Sequence, residues 1–184
     1  METKKKGCVF LVLVPHRDFR AALQKQTDSL VNAGLKGVYT FPLTAPLAKL
    51  SEALNAQELK DIAKLIRLTI GKNKLYADDT SLVDFFRGMN LFGVKINLNT
   101  FINPDFCLKC KKITSLFNPP LIGTFLLPQK KETPALLCDF LKNTDKNALF
   151  FRAAAIANMT FAPVKKDEIF FKWKIDKLSW LPKN

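Results

Sequence analysis

The chain has 184 residues, 48% of them hydrophobic and 16 of them Phe; the length fits one domain or two tightly packed lobes, and the composition excludes a disordered chain. Lys and Arg outnumber Asp and Glu by 29 to 16, a formal charge of +13. Such a balance produces a potential that attracts phosphate-bearing polymers or anionic headgroups, or reflects no more than a lysine-rich solvated surface.

The opening Lys4 to Val14 sets a basic stretch before an apolar one, but the apolar run from Cys8 stops at Pro15 with no small-residue cleavage site. It is read as a buried first strand over 8–14, and no run approaches the ~20 apolar residues of a membrane helix, so the expected location is cytoplasmic. His16 to Asn32 follows as a helix with Phe19, Leu23 and Leu30 on one side and Arg17, Arg20, Lys25 and Asp28 toward water; Ala33 and Gly34 supply its stop. Gly37 to Phe41 is a strand, and the run 41–50 extends it past Pro42 and Pro46, which limit ladder bonds.

Ser51 to Asn55 connects to a second helix, where Asn55 and Glu58 have capping-box spacing and Leu59, Ile62, Ala63, Ile66 and Ile70 form an apolar stripe. Segments 74–77, 81–86 and 93–100 then read as strands; in the last, Val94, Ile96 and Leu98 alternate with Lys95, Asn97 and Asn99, giving one buried face and one wet face. That wet face lines a cleft or is an ordinary solvated sheet surface.

Asn103 and Pro104 open a helix expected to run through Cys107 and Cys110 to about Phe117, where Asn118, Pro119 and Pro120 end it. Leu121 to Leu127 is a buried strand and Thr133 to Asn143 a short helix. Ala148 to Phe161 is read as a strand matching 41–50, although its alanines also favour helix. Phe170 to Ile175 closes the sheet, and Leu178 to Lys183 is an apolar tail expected to lie on the body or to meet a partner. The expectation is α+β: a single bilobal domain over 1–184, with interleaved lobes and approximate halves at 1–100 and 101–184.

No constellation for catalysis emerges. Cys107 and Cys110 have CxxC spacing, but Cys8 and Cys138 do not form a second knuckle, so buried or free thiols explain the four cysteines more simply than zinc or redox chemistry. Asp78 and Asp79 read as solvated acids in a turn, and with seven glycines there is neither GxGxxG nor GxxxxGK[ST]. No metal, cofactor or catalytic residue is therefore assigned. For binding, the candidates are His16, Lys49, Lys95, Asn97 and Arg152, together with Lys172, Trp173 and Lys174, which could stack a base and pair a phosphate; the alternative has Trp173 in the core with its lysines in water.

The order of elements, the opening Val9 to Pro15 strand with a helix after it, and the matched strands at 41–50 and 150–160 resemble the two-histidine (2H) phosphoesterase superfamily, which includes LigT-like RNA cyclic phosphodiesterases. The resemblance implies two similar α/β lobes with antiparallel sheets around a central cleft, and a His-x-Thr/Ser-x motif on each central strand acting on a cyclic phosphate. Neither 44–49 nor 152–157 contains a histidine, and His16 is the only one in the chain. One imidazole cannot serve as acid and base together. The resemblance thus implies a non-catalytic relative binding RNA or a phosphate-bearing small molecule in the cleft. The alternatives are a protein interaction or self-association module and a divergent cyclic phosphodiesterase.

Overall fold

The computed structural model describes residues 7–35, 38–70, 77–86, 88–96, 110–129, 135, 137, 151–165 and 168–181. These build an α+β protein with two antiparallel sheets and two α-helices among the described residues. In chain order the elements are β1 (Gly7–Pro15), α1 (Arg17–Asn32), β2 (Tyr39–Thr40), β3 (Ala45–Leu50), α2 (Ala56–Ile70), β4 (Ala77–Phe86), β5 (Met89–Ile96), β6 (Ile113–Leu116), β7 (Leu121–Pro128), β8 (Phe151–Lys165) and β9 (Glu168–Trp180). One sheet runs β6-β3-β1-β8-β9 and the other β2-β7-β5-β4.

β1 is central because both of its faces are apolar. Phe10, Val12 and Val14 belong to one buried cluster and Leu11 and Leu13 to another, as expected of a strand covered on both sides. The second of these clusters also takes Phe19 and Leu23 from α1 and Leu59, Ile62, Ala63 and Ile66 from α2. The first is an aromatic layer between the sheets. Phe10 stacks on Phe85 of β4 with centroids 5.2 Å apart and on Trp173 of β9 at 5.8 Å, while Phe117 lies 6.0 Å from Phe10 and Phe41 4.8 Å from Trp173. Gly123 admits Phe41 to this layer, since a Cβ there would stand 2.5 Å from the Phe41 ring.

The capping box at Asn55 forms as its spacing predicts. Asn55 Oδ1 accepts from the Glu58 backbone N–H at 2.9 Å, and Glu58 Oε2 accepts from the Asn55 N–H at 2.7 Å, satisfying two otherwise orphaned donors. Gly34, with φ of 88°, ends α1 in the left-handed region.

Several expectations are corrected. Residues 41–50 and 150–160 do not centre separate lobes: β3 and β8 lie in the same sheet, on either side of β1, with Leu11 opposite both Ala48 and Ile156. The helix expected over 103–117 is a strand at Ile113–Leu116, where β6 pairs with β3; two β-branched residues fit an edge strand better than a helix end. The tail from Leu178 is not laid down separately but continues β9 to Trp180, paired with β8. Asp78 and Asp79 belong to β4 rather than to a turn. The alanines of β8 stay extended, against their helical preference, because Ala153, Ala154, Ala155 and Ala157 are all fully buried between neighbours on both faces. Of the helix expected over 133–143, only Ala135 and Leu137 are described; residues 74–76 and 97–109 also lie outside the described residues.

Candidate functional site

The positions where a phosphate groove was expected are closed. Ala153, Ala155 and Ala157 have no exposure, Thr44 has 4%, and the Thr44 hydroxyl donates to the Pro42 carbonyl at 3.2 Å. The adjoining face of the sheet meets the aromatic layer, so the described part of this region offers a ligand little polar surface.

The predicted binding residues are dispersed. Lys49 is half-buried on β3, opposite Phe10 and Ser115. Lys95 is half-buried on β5 in the other sheet, opposite Leu121, between fully buried Val94 and Ile96. Asn97 lies outside the described residues. His16 stands exposed at the N-cap of α1 without a side-chain capping bond, its Nδ1 3.4 Å from an Asp18 carboxylate oxygen. Trp173 joins the aromatic layer while Lys172 and Lys174 face water, which is the core alternative for that triplet.

Arg152 is the predicted residue around which a site assembles. Between β1 and β8, Val14 pairs with Ala153 and Pro15 with Phe151, leaving Arg152 as an extra residue in a bulge. Between β8 and β9, Ile156 pairs with Lys177 and Ala157 with Ile175, so Asp176 is extra. Each bulge shifts the alternation of side chains by one. Asp176 is held there by Asn158 Nδ2 and, at 3.1 Å, by Lys174 Nζ. The second shift puts Trp180, opposite Ala153, on the same face as Trp173, opposite Met159. The Arg152 guanidinium lies over the Trp180 ring, 5.3 Å from its centroid, a cation–π contact.

Each member of this pair lines a depression. One, of about 260 Å³, is lined by Arg17, Arg20, Ala21, Gln24 and Arg152. The other, of about 460 Å³, sits between α2 and β9, with Lys60, Lys64, Lys177, Ser179 and Trp180 in its wall. Trp180 is 62% exposed. Six cations line the two depressions, and one of them, Arg152, touches the accessible indole. Two of them are partly engaged: Lys177 Nζ donates to the Leu54 carbonyl at 2.8 Å, and Lys64 Nζ is 3.8 Å from Asp61. Arg152 Nε is buried and has no hydrogen-bond partner among the described residues.

Of the residues that line these depressions, Arg152 is the one the sequence singles out as a binding candidate. Arg17 and Arg20 were seen only as the wet side of a helix, and Trp180 as part of a tail. Their spacing carried a signal, since Arg17, Arg20 and Gln24 recur on one helical face. What joins that face to β8 and β9 is the pair of bulges, which no local pattern announces.

A further depression, of about 590 Å³, lies between α2 and residues 110–112, lined by Leu54, Ile62, Leu65, Leu68 and Cys110 beneath a rim of charged groups. Burial pushes the Cys110 thiol above its ordinary pKa, which disfavours the thiolate that zinc binding or redox chemistry needs. No group of three or more His, Cys, Asp or Glu among the described residues is placed to hold a metal ion. No helix among them is long and apolar enough to cross a membrane. Compared with family models, curated proteins and solved structures, the chain matches none.

Proposed function

We propose that this protein is a non-catalytic binder of single-stranded RNA, of two-lobed, two-histidine phosphoesterase-like ancestry, and that its contact surface is the Trp180 face rather than the space between the sheets. The observation that carries this reading is the exposed indole under the Arg152 guanidinium, with a cation-lined depression on each side. A single strand needs a surface on which a base can stack and cations that track its phosphates. Two antiparallel sheets with few helices among the described residues support the ancestry. Neither strand carries a histidine, which supports binding without turnover.

Anisotropy of a labelled single-stranded RNA of about ten nucleotides tests the proposal. With four to six of the cations contacting phosphates, log K falls against log salt with a slope of about −3 to −4. Absence of binding at low salt, or a salt-independent affinity, rejects it. Turnover of a 2′,3′-cyclic phosphate by the wild type, abolished in His16→Ala, would instead establish a divergent phosphodiesterase.

A second reading rests on the edge position of β9. Ile175, Leu178 and Trp180 are exposed by 38%, 39% and 62% on a strand whose outer side is unpaired in its sheet, a surface suited to self-association. Exposed Lys172, Lys174 and Lys177 on the same strand oppose such pairing. A sedimentation mass independent of concentration removes this reading.

A further inference from the structure

The depression lined by Arg17, Arg20, Gln24 and Arg152 has a property that general attraction to RNA does not require. It gathers three guanidinium-bearing side chains and no carboxylate among the residues that line it. Of the acids on α1, Asp18 faces His16, and Asp28 accepts from Nε2 of the lining residue Gln24 at 2.8 Å, without lining the depression itself. No ion pair engages Arg17, Arg20 or Arg152 among the described residues, and the buried Nε of Arg152 lacks an acceptor. Like charges that share a depression without a counterion repel, weakly at exposed Arg17 and Arg20 and more strongly at half-buried Arg152. An anion bound here offsets that repulsion.

Resting on the RNA-binding reading, we propose that this depression takes the terminal phosphate monoester of the strand whose adjoining base stacks on Trp180. A monoester carries close to two negative charges at neutral pH and three terminal oxygens, whereas an internal diester carries one charge and two. Arginine forks suit that geometry because each can give two parallel hydrogen bonds to one phosphate. Arg17, Arg20 and Gln24 reach it from successive turns of one helical face, and Ala21 among them leaves room. Arg152 spans the two parts of the site, since it lines this depression and covers the Trp180 ring. Bound this way, the end of the strand fixes which nucleotide reaches the indole.

The test compares one octanucleotide RNA in three forms, with a 5′-phosphate, with a 3′-phosphate and with hydroxyls at both ends, by anisotropy against the full chain. One phosphorylated form is expected to bind at least tenfold tighter than the unphosphorylated form, and Arg20→Ala to weaken that form at least fivefold more than it weakens the unphosphorylated one, which loses only one cation of the general surface. Arg20→Lys is expected to restore the preference only in part, because a point charge lacks the fork. Free inorganic phosphate should compete with the preferred form alone. Equal affinities for all three forms, or an Arg20→Ala loss that is the same for each, overturn the terminal-phosphate assignment while the RNA reading stands. No binding of any form overturns both.

Discussion

Trp173 and Trp180 stand on one strand, start from the same face of one sheet and meet opposite surroundings. Trp173 is opposite Met159 and packs against Phe10 and Phe41. Trp180 is opposite Ala153, beyond the aromatic layer, and its visible ring partner is the guanidinium of Arg152. An odd separation along a regular strand would put them on opposite faces, so the shared face depends on the extra residue Asp176. Residue type and strand membership are therefore silent about role; what the neighbouring sheet covers decides it. An indole under a second sheet contributes to stability, and the same indole past its rim is available to a ligand.

The largest expected effect is on stability at the covered end. Trp173→Ala removes a ring held between Phe10 and Phe41 and should lower the unfolding free energy by about 3 kcal/mol, toward the low end for aromatic truncations because the residue is only partly buried. Urea unfolding measures it. A loss under about 1 kcal/mol would mean that the aromatic layer does not join the sheets. Trp180→Ala should do the reverse, changing stability by no more than about 0.5 kcal/mol while weakening RNA binding about ten- to a hundredfold, the usual range for loss of one stacked base. If both variants behave alike in both assays, the contrast between the two ends of β9 fails.

Much of the fold on the covered side was legible in the sequence. β1 was visible as an uninterrupted apolar run and α2 as a stripe behind a capping box, because both depend on local chemistry: a doubly covered strand has no polar face, and a helix start must satisfy its own N–H groups. The exposed side was not legible to the same degree. β6 resembled a helix end because its edge pairing with β3 comes from residues far away in the chain, as in the Thr114 hydroxyl donating to the Lys49 carbonyl at 3.1 Å. Trp180 resembled a tail because its pairing with Ala153 lies past the bulge at Asp176. Arg17 and Arg20 resembled solvated charge because the wall they share with Arg152 exists only after β8 folds beside β1. Contacts of high sequence separation leave no periodicity to read.

A smaller effect concerns the helix that brings Lys60 and Lys64 beside Trp180. Asn55→Ala deletes the side-chain half of the capping box and should lower stability by about 1 kcal/mol, with RNA affinity unchanged within about twofold where the protein remains folded. A large loss of affinity without a loss of stability would show that the start of α2 takes part in binding rather than merely supporting it.

The smallest effect is one of pH, and its sign follows from the same cap. The Asn55 N–H, followed by Lys112 Nζ at 2.9 Å, holds the Glu58 carboxyl below its ordinary range. Hydrogen bonds that the Lys112 ammonium donates to Glu58 and Glu52 hold its pKa above the ordinary lysine value. A depressed carboxyl pKa stabilises the fold at pH values above the unfolded pKa, and that contribution is lost as the pH falls through the folded value. A raised lysine pKa acts at the other end, its contribution present below the unfolded pKa and lost as the pH rises through the folded one. Glu58→Gln keeps an acceptor for the Asn55 N–H but cannot titrate, so its urea midpoint should fall less steeply than that of the wild type on the acid side, where the Trp180 face gains no charge of its own from this group. If the two acid limbs superimpose, Glu58 is as free in the folded chain as in the unfolded one, and the anchor of α2 beneath Lys60 and Lys64 is the backbone cap alone.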